Sequence, residues 1–290
     1  MKKTGIALLA GAMMVSLAGC GGGSAETTTA ATTAAETTTA QEAAPESEAG
    51  ETSEEAGEGE ENKGEEKAVS GTFTVGFDQD FPPMGFVGDN GEYTGFDLEL
   101  AQEVAKRLGL EFVPQPIAWD AKDMELNSGT IDCIWNGFTM NGREDDYTWS
   151  TPYMDNSQVF VVTADSGIEN FADLAGKIVE VQADSSAEAA LKDNEELTGT
   201  FGTLQTTPDY NTAFMDLEMG AVDAIAMDVI VAGYQSEQRD DGESYVVLEE
   251  TLASEEYGIG FKKGNEELRD KVQATLKEMA QDGTLKSVSE

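Results

Sequence analysis

The chain has 290 residues, with 57 Asp and Glu against 17 Lys and Arg, and its formal net charge is −40. This charge argues against nucleic acid as a partner, because binding to the phosphate backbone depends on Lys and Arg that displace counterions, and it makes acidic lipid surfaces equally unpromising. The sequence also has no His, which excludes Ser-His-Asp and Cys-His nucleophile arrangements and removes the commonest general base at neutral pH.

The first twenty residues have the pattern of an export signal. Two lysines precede an apolar run at 6–18, which is typical of a secretory signal and too short to span a bilayer. Residues 17–20 resemble the bacterial lipobox, in which the signal is cut before the cysteine and that cysteine is lipidated. We therefore predict a lipoprotein signal peptide at 1–19 and a lipid on Cys20. The alternative is a plain secretory signal with an incidental cysteine.

Residues 20–68 have the composition of a flexible tether. From 21 to 68 there is no Leu, Ile, Val, Met or aromatic residue, and the segment carries 13 acidic residues and two lysines among Thr, Ala and Gly. Such a segment buries too little apolar surface to offset its ordering entropy. We predict a disordered, acidic and Thr-rich tether that spans about 40 Å between the lipid and a folded part.

The folded part begins near residue 69 with alternating strands and helices. Strands are predicted at 72–78, 110–117 and 131–135, and helices at 98–108 and 120–128. Asp97 is placed as the N-cap of the first helix, and Gly109 and Gly129 end the two helices. The order βαβαβ is typical of a parallel sheet.

A second run of the same kind follows, as expected for two domains. Strands are predicted at 157–163, 177–182, 201–204, 222–227, 245–248 and 258–262, and helices at 186–192, 208–219, 228–239 and 265–281, the last of which is closed by Gly283. Two doubly wound units fit this length, and such folds bind ligands at the carboxyl ends of their strands. Neither GxxxxGK[ST] nor GxGxxG after a strand is present, which weakens a nucleotide-binding interpretation.

Six stretches, taken in order, resemble one known family. They are FTVGFDQDFPPMGF, YTGFDLELAQEVAKRLG, WNGFTMNGRE, WSTPYM, GAVDAIAMD and YGIGFKKGNEELRDKV, within residues 71–286. The family is the bacterial extracellular solute-binding proteins of family 3, the polar amino acid receptors of ABC importers. The resemblance implies the type II periplasmic binding protein fold, with two α/β lobes joined by two hinge strands.

The resemblance also places the lobe boundaries. Lobe 1 would comprise about 71–152 together with 258–290, and lobe 2 about 158–252. The crossovers between the lobes would lie near 153–157 and 253–257. We refer to these segments as lobe 1, lobe 2 and the hinge.

The function implied is that of a lipoprotein that encloses a free polar amino acid between its lobes and delivers it to the permease subunits of an ABC importer. It would be anchored on the outer face of the membrane at a Gram-positive cell surface, with no enzymatic activity, no cofactor and no metal. Two alternatives are a sensor that binds the amino acid without transport, and a lyase or dehydratase on the same scaffold that uses Asp78 or Asp228 as acid or base.

The resemblance assigns five residues to the zwitterion of the ligand. A guanidinium binds a carboxylate bidentately, and Arg143 takes that role, with the backbone N–H groups of Thr139 and of Ser186, at a helix start, sharing the carboxylate. Asp228 takes the ammonium, helped by the Gly137 carbonyl and the Thr139 hydroxyl. For Arg143, Asp228 and Ser186, the alternatives are a surface cation, a helix cap and an N-cap.

Three further residues would surround the ligand side chain. Phe81 and Trp119 stand where the family has aromatic walls, worth about 0.5 to 2 kcal/mol each against a cation, and the alternative is that both are core aromatics. Asp78 would face the far end of the side chain. Because an anion there accepts from a guanidinium, an ammonium or a carboxamide, arginine, lysine, glutamine and other polar amino acids all remain candidates.

Two positions depart from the family pattern. Asn136 stands where a small residue is often found, which brings another amide near the pocket. Asp184 occupies the usual glycine position before Ser185 and Ser186. A carboxylate so close to the ligand carboxylate is unfavourable, so its side chain is expected to point outward.

Overall fold

The computed structural model describes residues 71–240 and 243–289. The predicted signal peptide at 1–19, the lipidated Cys20 and the tether at 20–68 lie outside these residues. The described strands are β1 Thr72–Phe77, β2 Asp80–Phe81, β3 Gly85–Val87, β4 Tyr93–Thr94, β5 Glu111–Pro116, β6 Cys133–Thr139, β7 Tyr147–Trp149, β8 Met154–Thr163, β9 Ile178–Gln182, β10 Thr203–Thr207, β11 Ala224–Asp228, β12 Tyr245–Val247 and β13 Ala253–Lys262.

The helices lie between these strands, as the alternating pattern predicts. They are α1 Phe96–Leu108, α2 Lys122–Ser128, α3 Ser186–Asp193, α4 Glu195–Thr198, α5 Tyr210–Glu218, α6 Val229–Asp240, α7 Glu266–Asp282 and α8 Thr284–Val288, with 3-10 helices at Trp119–Ala121 and Phe171–Leu174. Among the described residues, none of the helices has the length and apolar character to cross a membrane.

One mixed sheet runs through the molecule in the order β10-β9-β11-β8-β13-β6-β1-β5. Its two outer parts are parallel, with β1 between β5 and β6, and β9 between β10 and β11. β8 and β13 are antiparallel to each other and join the two parts. The predicted α/β class, with two doubly wound parts joined by two strands, is confirmed.

The predicted crossovers lie side by side in the two joining strands. Glu255 pairs with Asn156 and Tyr257 pairs with Met154. The sequence pattern predicts a strand only from 258, whereas β13 begins at Ala253. The extra residues form the hinge segment, and their pairing is consistent with the predicted boundaries, which stay a prediction.

Glycines end three helices as predicted. The C-cap positions of α1, α2 and α7 are Gly109, Gly129 and Gly283, with φ angles of 68°, 81° and 87°. A positive φ is readily adopted only by glycine, because other residues carry a Cβ that clashes there.

The predicted N-cap of α1 is wrong. The N-cap position is Gly95, and Asp97 lies inside the first turn with its side chain fully buried. A Cβ on Gly95 would lie 2.5 Å from the carbonyl oxygen of Met84, so close packing fixes the start of the helix. The Asp97 carboxylate instead accepts from the Gly137 N–H at 2.6 Å and from the Tyr153 hydroxyl at 2.8 Å.

Separate apolar clusters stabilise the two parts of the sheet. Lobe 1 buries β1, α1 and α7 around Phe73, Trp135 and Val272. Lobe 2 buries side chains on both faces of its strands. Phe81 of lobe 1 belongs to a lobe 2 cluster that contains Tyr210, so the lobes also contact each other directly.

Candidate functional site

A cavity between the two lobes gathers most of the predicted site residues. Its empty volume is about 270 Å³, and its lining comprises Phe81, Trp119, Asn136, Gly137, Thr139 and Arg143 from lobe 1 and Gln182, Ser185, Ser186 and Asp228 from lobe 2. It lies at the carboxyl ends of β6, β9 and β11, where doubly wound folds bind ligands. Seven of the eight predicted residues line it, and Asp78 does not.

Arg143 faces the cavity with its guanidinium held by backbone oxygens. Its two terminal nitrogens donate to the carbonyl oxygens of Thr139 and Asp184 at 3.3 and 3.4 Å, and the group lies 5.3 Å from the centre of the Phe138 ring. None of the ion pairs between described residues includes Arg143. Its positive charge is therefore available to an anionic ligand group.

The start of α3 forms the opposite wall. Ser185 is the N-cap, and its hydroxyl accepts from the Glu188 N–H at 3.1 Å. The alternative in which Ser186 is only an N-cap is therefore wrong. Ser186 is the first helical residue, and its hydroxyl accepts from the Gln158 amide at 2.9 Å. The free N–H groups of this helix turn are suited to a carboxylate.

Two carboxylates are buried together where the ammonium is expected. Asp228 Oδ1 accepts from Asn156 Nδ2 at 2.7 Å, from Gln158 Nε2 at 2.8 Å and from the Tyr257 hydroxyl at 2.7 Å. Glu255 Oε1 accepts from the same two amides at 2.7 and 2.6 Å. Burial, and then the negative charge of Glu255, raise the pKa of Asp228 to about 7.

Glu255 also connects the lobes. Its Oε1 accepts from the hydroxyl of Thr139 in lobe 1 at 2.9 Å and lies 3.4 Å from that of Ser186 in lobe 2. Sequence reasoning missed this residue, as it missed Asn156 and Gln158. The available signal was an acidic side chain on a strand predicted to cross between the lobes.

Gly137 lies where only glycine fits. Its φ is 56°, and a Cβ would lie 2.8 Å from Phe81 Cε1 and 3.1 Å from the ring of Tyr257. Its N–H is bound by the buried Asp97 carboxylate. The strand thus passes the cavity with bare backbone, which brings the main chain close to any ligand.

The two predicted aromatic walls are both cavity residues and core residues. Phe81 contacts the Tyr210 ring at 6.0 Å between centroids, and Trp119 packs edge to face on Phe138 at 5.5 Å. The Lys122 ammonium lies 5.2 Å from the centre of the Trp119 ring. Both aromatics are therefore core residues that also line the cavity, and their role as walls around a ligand side chain stays a prediction.

Asp78 lies behind Gln182 and does not line the cavity, contrary to expectation. Its two oxygens accept from the Asp80 N–H at 2.9 Å and from Gln182 Nε2 at 2.6 Å, and burial raises its pKa to about 6. Gln182 Nε2 also donates to the Pro208 carbonyl at 3.1 Å. Because both amide hydrogens of Gln182 are engaged, its carbonyl oxygen is the end left for a ligand.

The departure at Asp184 has a backbone reason. Its φ is 58°, a conformation that favours glycine and tolerates Asp or Asn. As expected, the side chain points away from the cavity, and it forms an ion pair with Lys122 of lobe 1. The Lys122 side chain is only 2% exposed, whereas that of Asp184 is 54% exposed.

The family model "Bacterial extracellular solute-binding proteins, family 3" matches residues 73–290. The L-cystine-binding protein TcyJ of Escherichia coli is 36% identical over 223 residues, 76% of this chain and 82% of that protein. The arginine-binding extracellular protein ArtP of Bacillus subtilis is 30% identical over 230 residues, 78% of this chain and 85% of that protein.

Solved structures agree with these matches. A substrate-binding protein of an ABC uptake transporter from Streptococcus pneumoniae, with bound histidine, superposes with a TM-score of 0.73 at 34% identity and covers 75% of this chain and 90% of that one. The ancestral amino acid-binding protein AncCDT-1, a precursor of cyclohexadienyl dehydratase, gives a TM-score of 0.67 at 32% identity, over 75% and 93% of the two chains.

Proposed function

Because the chain belongs to the bacterial extracellular solute-binding proteins of family 3, as its motifs predict, we propose that it encloses a free polar amino acid and delivers it to the permease of an ABC importer. It does so from the outer face of the membrane of a Gram-positive cell, held by a lipid on Cys20 and the tether at 20–68. One observation carries the proposal: Arg143 of lobe 1 and Asp228 of lobe 2 line a single cavity.

The zwitterion of an amino acid fits these two charges. Its carboxylate binds the guanidinium of Arg143 and the N–H groups of Thr139 and Ser186. Its ammonium, with three donors, binds Asp228, the Gly137 carbonyl and the Thr139 hydroxyl. Each end of the ligand then contacts both lobes, so the contacts are complete only when the lobes meet.

The lining of the cavity favours a side chain that donates hydrogen bonds. Phe81 and Trp119 supply apolar area, and Gln182 offers a carbonyl oxygen because its amide hydrogens are engaged with Asp78 and Pro208. A guanidinium, ammonium, imidazole or carboxamide can donate a hydrogen bond to this oxygen, whereas a side-chain carboxylate cannot. Arginine, lysine, glutamine and histidine therefore fit better than glutamate.

Binding acts through closure of the two lobes. β8 and β13 are the strands that join them, and a ligand that bridges the lobes shifts the population toward the closed state by its differential affinity. An affinity near micromolar corresponds to about −8 kcal/mol, which a paired zwitterion with aromatic burial attains.

A thermal-shift panel tests the binding function. The mature chain from residue 20, with Cys20→Ser to prevent lipidation, is heated with each of the twenty amino acids and with L-cystine. Ligand at 100 times Kd stabilises by about 2.7 kcal/mol. We expect one or a few donor-bearing amino acids to raise the unfolding temperature, and a panel without any shift would refute the proposal.

Transport and anchoring need tests in cells. Deletion of the gene is expected to abolish uptake of the radiolabelled ligand, and Cys20→Ala is expected to release the protein into the medium. Uptake that survives the deletion would favour the alternative function of a sensor.

A second candidate is an enzyme on the same scaffold. Asp228 is a buried acid in the cavity whose pKa is raised to about 7, which is a property of acid-base catalysts, and AncCDT-1 is a structural neighbour. NMR of the ligand after overnight incubation decides between the two, because a binding protein returns it unchanged.

A further inference from the structure

The charges around the predicted ammonium position do not balance within the protein. Asp228 and Glu255, here called the acid pair, are both buried. Among the residues that the structure describes, no Lys or Arg forms an ion pair with either carboxylate. Lys122 pairs with Asp184, and Arg143 donates to backbone carbonyls.

The two carboxylates lie close together because they share their donors. Asn156 Nδ2 is 2.7 Å from an oxygen of each, and Gln158 Nε2 is 2.8 Å from Asp228 and 2.6 Å from Glu255. The amides are neutral, so they orient the carboxylates without neutralising them. Two carboxylates close enough to share donors repel each other, so the pair favours retention of one proton unless a cation binds.

We propose that Glu255 is a second anion of the ammonium subsite, and that the acid pair holds one proton in the empty protein and releases it when the ligand's ammonium binds. This inference rests on the proposed function. The exchange is balanced: the proton leaves the pair for solvent, the ammonium takes its place, and no covalent bond in the ligand changes.

The titratable groups around the acid pair do not account for the released proton. Tyr257 on β13 and Tyr210 on α5 face it, and burial raises the pKa of both phenols well above the ordinary value, so both stay neutral. Asp78 is close enough to act on Tyr210, and its carboxylate accepts a hydrogen bond from Gln182. The raised pKa of Asp228, about 7, sets the pH at which the proton is held.

Glu255 also has a position suited to the ligand. Its Oε1 accepts from the hydroxyl of Thr139, a cavity residue, and lies near that of Ser186 from the facing lobe. An ammonium between Asp228 and Glu255 would thus contact both lobes and the hinge strand. Ligands in which the amine is replaced by a hydroxyl or acetylated lack the charge that the pair requires.

Isothermal titration calorimetry tests the inference on the mature chain with Cys20→Ser. The probes are L-arginine, L-glutamine and L-cystine, and titrations at pH 5.5, 7 and 8.5 are repeated in buffers of different ionisation enthalpy. We expect release of nearly one proton at pH 5.5 and almost none at pH 8.5, with affinity weakening about tenfold per pH unit below 7. Binding at pH 5.5 without proton release would overturn the inference and leave the proposed function intact.

Substitution of Glu255 tests its role in the acid pair, and substitution of the neighbouring Glu256 is the control. Glu255→Gln keeps the shape and the acceptor oxygen but removes the charge, so we expect at least tenfold weaker binding at pH 8.5. The pH below which binding weakens and protons are released should also shift to a lower value. Glu256→Gln, next to it on β13 and exposed, should match the wild type. If Glu255→Gln binds and releases protons as the wild type does, Glu255 has no such role. If none of the three probes binds, the same titrations use the amino acid that the thermal panel identifies, and absence of binding by the whole panel refutes the proposed function itself.

Discussion

The ion pair between Lys122 and Asp184 is predicted to tune ligand affinity without affecting the stability of either lobe. Lys122 Nζ also donates to the carbonyl oxygens of Trp119 at 3.4 Å and of Asp184 at 3.2 Å. The two charged partners belong to different predicted lobes, so in the proposed mechanism the pair forms only when the lobes close. Asp184→Asn removes the charge while keeping a residue that tolerates the left-handed backbone at this position.

The expected loss lies between two limits. A hydrogen bond to a charged group contributes about 1.5 to 3 kcal/mol when buried, and an exposed ion pair contributes about 0.2 to 1 kcal/mol. Lys122 is buried, but the Asp184 side chain is 54% exposed. We therefore expect a loss of about 1 to 2 kcal/mol of binding free energy, which raises the dissociation constant about 5- to 30-fold.

Calorimetric titration with the amino acid that the thermal panel identifies measures this loss. The unfolding temperature of the ligand-free protein should not change, and raising the salt concentration should weaken wild-type binding more than that of the variant. Asp193→Asn, an exposed change on the same helix α3, is the control. Equal affinities and equal salt dependence in Asp184→Asn and wild type would refute the reasoning.

Three further changes test the site and its supports. Arg143→Ala should weaken binding by about 2 to 5 kcal/mol because the carboxylate loses its fork-shaped partner, and a calorimetric affinity within threefold of wild type would contradict this. Gly137→Ala should lower the free energy of unfolding by about 2 to 4 kcal/mol, since it combines a left-handed φ with a contact on Phe81; an unchanged urea midpoint would count against it. Asp97 has its pKa raised by burial from 3.8 to about 7, so the folded state binds more protons than the unfolded state between these values. The free energy of unfolding should therefore rise as pH falls from 8 to 5, and Asp97→Asn should reduce this slope, which urea titrations at several pH values measure.

Periodicity and glycine stops are sufficient to place the long elements of the fold. α7 is predicted within one residue at each end, because its apolar residues recur at helical spacing up to a glycine. The short strands β2, β3 and β4 carry no such signal, since two or three residues show no period, and their pairing depends on packing near α1. The start of α1 has the same character: Asp97 resembles an N-cap, but the close approach of Gly95 to Met84 decides the boundary.

Site residues whose partners lie far away in the chain could not be identified from the sequence pattern. Arg143 and Asp228 were identified through family motifs, and the structure places both on the cavity. Gln182 was missed, although it separates Asp78 from the cavity, because the hydrogen bond between them joins residues 104 positions apart. Glu255 was missed because its partner Asn156 is set by the register of two hinge strands.

In the proposed mechanism, the direct contacts between the lobes favour closure, and the acid pair opposes it. The Lys122–Asp184 ion pair and the 2.6 Å hydrogen bond from Gln182 to Asp78 favour closure whether or not a ligand is present. Closing over the acid pair opposes it, because even with one proton bound the pair keeps one negative charge without a cationic partner, and a buried charge without a partner costs several kcal/mol. A ligand that supplies a cation removes this cost, and the population moves by that difference in free energy. In the proposed mechanism the ligand's ammonium therefore decides whether the lobes stay closed. The Lys122–Asp184 ion pair and the hydrogen bond from Gln182 to Asp78 add to the ligand affinity by stabilising the closed form.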